Sequence, residues 1–411
     1  MGNRVVVTGL GCTSPLGNDV PTSWEACING QSGIDRITNF DPELYRCQIA
    51  GEIKNFKLPE IIPIKEAKKM DLFIQYSIAA TQEALNDSDL VITEDIKEDV
   101  GVSMGVGIGG LGCIERYTKI LLESGPKRVS PFFIPMTLSN LAPGYVSLLF
   151  GAKNYTACTV SACTSSNHAI GSAARTIERG DAKVVIAGGS ESSVTPLGIA
   201  GFAAMHALST RNDDPKRASR PFDKDRDGFV MGEGSGMLIL EDYEFAKARG
   251  ARIYCEITGY GFSSDAFHMT SPSAEGPARA MKMTLKDSGL AAEDIDYVNA
   301  HGTSTPIGDL NELKAIKMAL GEKAAQQLSI SSTKSMTGHL LGAAAAIEAV
   351  FSIKALHHNF IPPTINIENM DPECDLDVTP NTGKSKELRV AMSNAFGFGG
   401  TNASIIFQKL E

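Results

Sequence analysis

Cys163 stands where a predicted strand passes into a predicted helix, and that position favours a nucleophile. The segment 156–167 begins with β-branched residues and passes into small ones, which continue through residues 169–174. The positive end of a helix dipole lowers the pKa of a cysteine, so we expect a reactive thiolate near neutral pH. A cysteine is often only a small buried apolar residue, and we expect that of the other seven.

Three further polar motifs follow predicted strands. They are residues 301–306 (His-Gly-Thr-Ser-Thr-Pro), 334–339 (Lys-Ser-Met-Thr-Gly-His) and 394–402 (Asn-Ala-Phe-Gly-Phe-Gly-Gly-Thr-Asn). Sites in parallel α/β sheets assemble at the carboxyl ends of the strands, so we expect the three motifs and Cys163 to converge. On these residues alone, structural and catalytic roles for His301 and His339 both stay open.

Two segments of the chain resemble each other in sequence. Residues 5–18 and 297–309 share a strand-and-turn pattern, in which Gly11 aligns with Gly302 and Pro15 with Pro306. Shorter likenesses connect residues 100–105 to 328–333 and residues 184–189 to 389–394. These internal similarities predict a duplicated architecture.

Alternating strands and helices predict parallel sheets covered on both faces. We predict two α/β halves, residues 1–250 and 251–411, which share one interface because no Pro- or Ser-rich linker separates them. The Ala- and Gly-rich helices that follow Cys163 and His339 are expected to be buried, since small residues let helices approach closely.

The composition is that of an ordinary globular protein, with 43% hydrophobic and 21% charged residues among 411. The net charge of −10 argues against non-specific nucleic-acid binding, and no apolar run is long enough to span a bilayer. Eight scattered cysteines without a CxxC pair indicate a reducing compartment. We therefore expect a cytoplasmic protein, or one of a plastid-type stroma if a transit peptide was removed.

These motifs resemble those of the elongating β-ketoacyl-[acyl-carrier-protein] synthases, within the thiolase-fold superfamily. The resemblance extends from residues 5–11 to residues 396–402, essentially the whole chain. A degradative thiolase carries a second catalytic cysteine near its C-terminus, and here none follows Cys374. Initiating synthases carry Asn in place of His339. The resemblance implies a thiolase-like α/β fold, with internally duplicated halves in five αβαβα layers.

The resemblance also implies an activity, decarboxylating Claisen condensation in fatty-acid elongation. Cys163 would hold the acyl group as a thioester, and malonyl-[acyl-carrier-protein] would supply the carbon nucleophile with loss of CO2. His301 and His339 would stabilise the enolate, and the N–H groups of Cys163 and Phe398 would hold the second oxyanion. Lys334 would tune the region around His339. No cofactor is implied.

Further site residues follow from the resemblance. Substrate would contact Thr303, Thr305, Ile108, Phe202 and Phe396. Phe398 would also act as a gate on its glycine-flanked loop. A structural monovalent cation would be bound by Asn299, Glu348, Ser393 and Asn394.

The expected partners are acyl- and malonyl-loaded acyl carrier protein and a second copy of the chain. Residues 65–85 have a helical pattern, and its first turn is basic at Lys65, Lys68 and Lys69. A solvated charged turn is the simpler explanation, but acyl carrier proteins are acidic and this chain is acidic overall, so we predict docking there. Lys127 and Arg128 match a second basic element. His206 replaces an arginine of many relatives, which weakens that contact.

Other interpretations compete with this one. A non-catalytic partner in a condensing heterodimer is opposed by the intact Cys163, His301 and His339. A cysteine hydrolase would not need a second histidine or Lys334. The glycines of residues 105–110 suggest a dinucleotide-binding enzyme weakly, because no acidic ribose ligand is evident. Residues 223–234 open like a calcium loop but have glycine at the twelfth position, so we reject calcium.

Overall fold

Strands and helices alternate along residues 2–410, the part of the chain that the computed structural model describes. The first half contains β1 (Val5–Thr13), α1 (Val20–Ile28), β2 (Asp35–Arg36), β3 (Ile49–Ala50), α2 (Ile64–Ala67), α3 (Leu72–Asp87), β4 (Val100–Gly105), α4 (Leu111–Ser124), α5 (Phe133–Thr137), α6 (Leu141–Phe150), β5 (Thr156–Thr159), α7 (Ser165–Glu178), β6 (Val184–Glu191), α8 (Pro196–Ala204), β7 (Gly234–Asp242) and α9 (Tyr243–Ala248). The second half contains β8 (Cys255–Ser264), α10 (Glu275–Ser288), β9 (Tyr297–Asn299), α11 (Gly308–Leu320), α12 (Glu322–Ala325), β10 (Ser329–Ser331), α13 (Lys334–Thr337), α14 (Ala344–His358), β11 (Phe360–Ile361), β12 (Lys384–Ser385), β13 (Val390–Gly397) and β14 (Thr401–Gln408).

Two sets of five strands repeat one topology. The large sheet has the order β10-β9-β13-β14-β8-β1-β7-β6-β4-β5. If the strands of this sheet are numbered in chain order within each half, both halves have the order 3-2-4-5-1 from the outer edge inward. In both, the second, third and fourth strands are parallel and the fifth is antiparallel to its neighbours. The predicted duplication is confirmed, but the prediction of purely parallel sheets is wrong.

Two of the three segment likenesses in the sequence matched the wrong strands. β1 is the first strand of its half, whereas β9 is the second, and β4 likewise does not correspond to β10. Only the pair β6 and β13 was matched correctly, since both are fourth strands. The aligned glycines serve different needs: Gly11 leaves room for the Ala80 carbonyl on α3, whereas Gly302 adopts a positive φ of 26°.

Five layers result from the way the helices cover these sheets. α3 and α6 cover the outer face of the first half, and α10 and α11 that of the second. α7 and α14 lie in the middle and share one core with strands of both halves. Their small residues make this possible, because a Cβ at Gly171 would come within 2.3 Å of the Tyr260 ring on β8. The five-layered thiolase-like arrangement and the burial of both helices are confirmed.

The helix predicted over residues 65–85 is interrupted. α2 ends at Ala67 and α3 begins at Leu72, after a turn in which Asp71 takes the N-cap position. The lysines therefore precede α3 and do not occupy its first turn. The apolar face is confirmed, since Phe73, Ile74 and Ile78 are fully buried. None of the helices between residues 2 and 410 combines the length and apolar character that a membrane crossing requires.

Candidate active site

Cys163 lies in a single 3-10 turn, Ala162–Thr164, between β5 and the first residue of α7. Ala162 adopts a positive φ of 52°, which is uncommon for a residue with a side chain and turns the chain sharply before the cysteine. The predicted strand-to-helix position of Cys163 is thus confirmed. The turn points its thiol into the interface between the two halves, where both histidine loops end.

The two histidines converge on the thiol from the second half. His301 follows β9, and His339 follows α13 after Gly338. Nε2 of His339 lies 2.9 Å from Sγ of Cys163, and ligand-type atoms of all three side chains lie within 4.8 Å of one another. The two imidazole rings stand nearly perpendicular with centroids 5.4 Å apart. The predicted convergence of these residues is therefore present.

Lys334 supplies a buried positive charge next to the histidines. Its ammonium group forms an ion pair with Glu348 of α14, and only 1% of the lysine is exposed. Burial and this positive charge hold the pKa of both His301 and His339 well below their usual range. Both imidazoles are therefore neutral near pH 7, and each can donate one hydrogen bond.

Burial also decides the state of the Cys163 thiol. It raises the pKa of Cys163 to about 11, although Lys334 and the N–H groups of Phe398 and Cys163 act in the opposite direction. The sequence-based prediction of a lowered pKa is wrong because the helix terminus is covered by the second half. The resting nucleophile is a thiol, and it must lose its proton when it attacks.

The Phe398 loop closes the site from the other side. Residues 394–396 belong to β13 rather than to a loop after it, so only residues 398–400 form the turn to β14. A Cβ on Gly397 would lie 3.1 Å from the Cys163 nitrogen, so the loop backbone approaches the nucleophile closely. The backbone N–H groups of Cys163 and Phe398 lie close enough to Sγ to favour its thiolate form.

One cavity of about 530 Å³ joins these groups. Its lining includes four of the five residues predicted to be catalytic, namely Cys163, His301, His339 and Phe398, but not Lys334. All five predicted substrate-contacting residues also line it, namely Thr303, Thr305, Ile108, Phe202 and Phe396. The hydroxyl groups of Thr303 and Thr305 lie 3.1 Å apart. The ring centroids of Phe202 and Phe398 are 6.5 Å apart, so these two aromatic side chains are neighbours. A partly apolar cavity with a few convergent polar groups suits an acyl chain carried on a polar arm.

Comparison with known proteins identifies the family. Models of two β-ketoacyl synthase domains match the chain, the N-terminal domain over residues 2–246 and the C-terminal domain over residues 254–368. The chain belongs to the β-ketoacyl synthase family.

Relatives match this family member over their whole length. The 3-oxoacyl-[acyl-carrier-protein] synthase 2 of Vibrio harveyi is 51% identical over 409 residues, which is 99% of each chain. A β-ketoacyl synthase from Burkholderia phymatum STM815 superposes with a TM-score of 0.93 at 37% identity over 100% of both chains. A type II PKS ketosynthase in complex with its acyl-carrier protein gives 0.91 at 34% identity over 100% of both.

The Cys-His-His cluster also has the donor types of a metal site. A tetrahedral Zn²⁺ bound by a thiolate and an imidazole would hold these two atoms about 3.5 Å apart. The 2.9 Å between Sγ and Nε2 is a hydrogen-bonding distance instead. The geometry favours proton transfer and hydrogen bonding within the synthase site.

Three of the four predicted cation ligands carry unsatisfied oxygens. Oδ1 of Asn299, Oε2 of Glu348 and Oγ of Ser393 are buried without a hydrogen-bond partner in residues 2–410. Asn299 and Ser393 are directly paired across β9 and β13. Asn394 differs, because its amide already bonds Glu312 and Ser404. Three hard oxygen donors fit an alkali-metal ion.

The sequence missed several residues of the site. Buried Glu312 accepts hydrogen bonds from the backbone of His301 and Gly302, at 2.8 and 2.7 Å, and fixes that loop. The Phe229 ring packs against the imidazole of His339, with ring centroids 5.4 Å apart. Glu312 could have been found from the sequence, because a charged residue there interrupts the apolar face of α11. Nothing in the sequence pattern singles out Phe229.

The basic residues predicted for docking lie outside the cavity. Lys65, Lys68, Lys127 and Arg128 are exposed, and Lys69 is half-buried. His206 lies at the rim of the cavity, and Arg46 reaches it with 2.6 Å between Nη1 and Nδ1. The sequence missed Arg46, which places a guanidinium beside this histidine.

The first carboxylate of the calcium-like loop, Asp223, is buried in an ion pair with Arg220. Asp223 accepts hydrogen bonds from Arg220 at 2.9 Å and from the backbone of Glu368 and Asn369 at 2.8 Å. Its carboxylate is therefore occupied by protein donors, in agreement with the rejection of calcium.

The raised pKa of Cys163 predicts how its reactivity depends on pH. Alkylation by iodoacetamide should accelerate about tenfold per pH unit between about pH 7 and pH 10, because only the thiolate reacts. Peptide mapping at constant ionic strength measures this rate for Cys163, with Cys163→Ala as the blank. A rate that is already maximal at pH 7 would mean that the thiolate is stable in the resting site.

Proposed function

We propose that this synthase catalyses the decarboxylating Claisen condensation of fatty-acid elongation. An acyl group held on Cys163 reacts with malonyl-[acyl-carrier-protein] to give 3-oxoacyl-[acyl-carrier-protein], CO2 and the free carrier. The observation that carries the proposal is the single cavity in which one thiol, two neutral histidines and two backbone N–H groups converge.

In the first step, Cys163 attacks the acyl thioester on the carrier protein. The new bond joins Sγ to the acyl carbon, the bond to the pantetheine sulfur breaks, and the thiol proton passes to that sulfur. His339 lies 2.9 Å from Sγ and relays this proton. The N–H groups of Cys163 and Phe398 hold the negative charge that develops on the carbonyl oxygen.

In the second step, malonyl carrier loses CO2 and leaves an enolate. The neutral imidazoles of His301 and His339 donate hydrogen bonds to its oxygen, and the buried charge of Lys334 favours the negative charge there. The enolate carbon attacks the acyl carbonyl, and the tetrahedral intermediate expels Cys163 as a thiolate, which takes up a proton from solvent to restore the resting thiol. Thr303 and Thr305 are placed along the cavity to contact the pantetheine arm.

The second histidine separates this proposal from its alternatives. Hydrolysis by a cysteine and one histidine requires neither His301 beside His339 nor a buried Lys334. A non-catalytic partner does not need a nucleophile that lies 2.9 Å from an imidazole.

Loss of His301 should uncouple the two steps. We expect His301→Ala to form the acyl adduct on Cys163 but to discharge it with malonyl carrier about 100-fold more slowly, since an oxyanion donor is lost. Intact-protein mass spectrometry measures both rates, and CO2 release confirms decarboxylation. His358→Ala, on the far end of α14, is the matched control and should keep both rates.

Two outcomes would contradict the proposal. An adduct that water rather than malonyl carrier removes would indicate a hydrolase. A Cys163 that takes no acyl group from any acyl carrier would indicate a non-catalytic partner.

The acyl carrier protein is proposed to dock on two basic elements that meet on one face. The Lys69 ammonium lies 4.8 Å from the Phe132 ring, which brings the turn after α2 next to the segment that contains Lys127 and Arg128. Glu66 neutralises Lys69 at 2.6 Å, so the exposed Lys65 and Lys68 present the free charge. Acidic partners are steered by such a patch.

Charge reversal at Lys65→Glu and Lys68→Glu together should raise KM for the acyl carrier about tenfold at low salt, with kcat nearly unchanged. The matched control is Lys282→Glu with Lys286→Glu, two exposed lysines on α10. Steady-state kinetics at two salt concentrations measure the effect. An equal rise in both double variants would remove the patch from the docking site.

We also propose a homodimer. β5 is an edge strand of the large sheet, and exposed apolar side chains adjoin it, namely Val160 directly after the strand and Leu148 on α6, which packs on β5. An unprotected strand of this kind invites pairing with the same strand of a second copy. Sedimentation velocity at micromolar concentration should show a dimer, and a monomer would contradict the proposal.

A structural monovalent cation is proposed at Asn299, Glu348 and Ser393, where it would neutralise unsatisfied oxygens near Lys334. The thermal midpoint should be higher in KCl than in tetramethylammonium chloride of the same ionic strength. Ser393→Ala should reduce that difference. Equal midpoints of the unmodified protein in the two salts would contradict an ion site.

We retain residues 1–250 and 251–411 as the two halves, supported by the end of α9 at Ala248 and the start of β8 at Cys255. A cytoplasmic location is likewise our proposal, on the basis of the scattered cysteines. Fractionation of the source cells tests the location, and limited proteolysis between residues 248 and 255 tests the boundary.

A further inference from the structure

Glu191 ends β6 with a carboxylate that is completely buried. Its oxygens accept hydrogen bonds from four backbone amides, those of Gly107 at 2.8 Å and of Ile108, Gly109 and Gly342 at 3.1 Å. The Ser193 hydroxyl donates a further one at 3.2 Å. Amides rather than a cation therefore oppose its charge, as in the backbone nests that bind anions.

Three positions in the loops around Glu191 leave no room for a side chain or disfavour one. A Cβ at Gly107 would lie 2.5 Å from Oε2 of Glu191, and a Cβ at Gly342 would lie 2.0 Å from the Gly107 nitrogen. Gly109 adopts a positive φ of 85°. The glycines that weakly suggested a dinucleotide site thus surround an internal anion, and the carboxylate takes the place that a phosphate would need.

The same carboxylate connects two walls of the catalytic cavity. Gly107 and Ile108 line it on the side of the first half, and Leu341, next to Gly342, lines it on the side of the second. Gly342 is three residues beyond His339, and its carbonyl accepts a hydrogen bond from Ser166 at the start of α7. Glu191 is therefore bonded to both walls without reaching the cavity.

We propose that Glu191 is a positioning residue that determines acyl-chain acceptance. It holds the 107–109 loop against the residues that follow His339, and so fixes Ile108 as the wall of the acyl site. A chain long enough to reach Ile108 would be affected by the position of this wall, whereas a short chain that ends near Cys163 would not. The inference rests on the proposed function, specifically on the acyl chain lying beside Ile108.

Glu191→Gln tests this, because the amide keeps the volume but turns an NH2 group toward the backbone N–H donors. We measure acyl transfer to Cys163 by intact mass with four-, eight- and twelve-carbon acyl carriers. The twelve-carbon rate should fall about tenfold more than the four-carbon rate, which corresponds to an unsatisfied buried donor. Iodoacetamide alkylation of Cys163 should change less than about twofold, since this small reagent does not use the acyl site.

The matched control is Glu233→Gln. Glu233 is equally buried but bonds Ser192 and Ile53 and does not touch the 107–109 loop. Ser193→Ala, a milder change at the same carboxylate, should shift the chain-length profile in the same direction and guards against a folding failure of Glu191→Gln.

An equal loss at all chain lengths, or a profile identical to that of the unmodified enzyme, would overturn the role of Glu191. If the unmodified enzyme takes no acyl group at any length, the proposed function itself fails. The two failures are therefore distinguishable.

Discussion

The structure depends on the close contact between the two halves at the starts of α7 and α14. Backbone meets backbone there: a Cβ at Gly342 would lie 2.0 Å from the Gly107 nitrogen, and one at Gly397 would lie 3.1 Å from the Cys163 nitrogen. Neither position has free space for a side chain. The nucleophile comes from one half and both histidines from the other, so the catalytic group exists only because the halves touch.

Burial sets the electrostatics of the site. Burial raises the pKa of Cys163 to about 11 and that of Glu312 and Glu348 to about 7. It lowers the pKa of His301 and His339 well below the usual value, so both imidazoles are neutral. In such surroundings fixed dipoles and the Lys334 charge act strongly on a developing negative charge. The site therefore disfavours charge at rest and favours it when the thioester or the enolate reacts.

The sequence predicted the parts that depend on local pattern. Cys163, His301 and His339 were found because polar, glycine-flanked motifs follow strands, and the burial of α7 and α14 followed from their small residues. The Cys163 pKa was not predictable, since it depends on burial by residues more than 170 positions away. The interruption of the helix between Ala67 and Leu72 was missed because the helical spacing of apolar residues continues through it. Glu191 was missed because Ser-Glu-Ser at a strand end has the pattern of an exposed turn.

The central claim is a division of labour between two sets of donors, with backbone N–H groups for the acyl thioester and histidines for the enolate. A crystal structure of the acyl-enzyme tests it most directly. The acyl oxygen should lie within hydrogen-bonding distance of the N–H groups of Cys163 and Phe398, with Nε2 of His301 and His339 left facing the open cavity. An acyl oxygen bound by the two imidazoles would contradict this division, because the histidines would then serve the thioester and not the enolate.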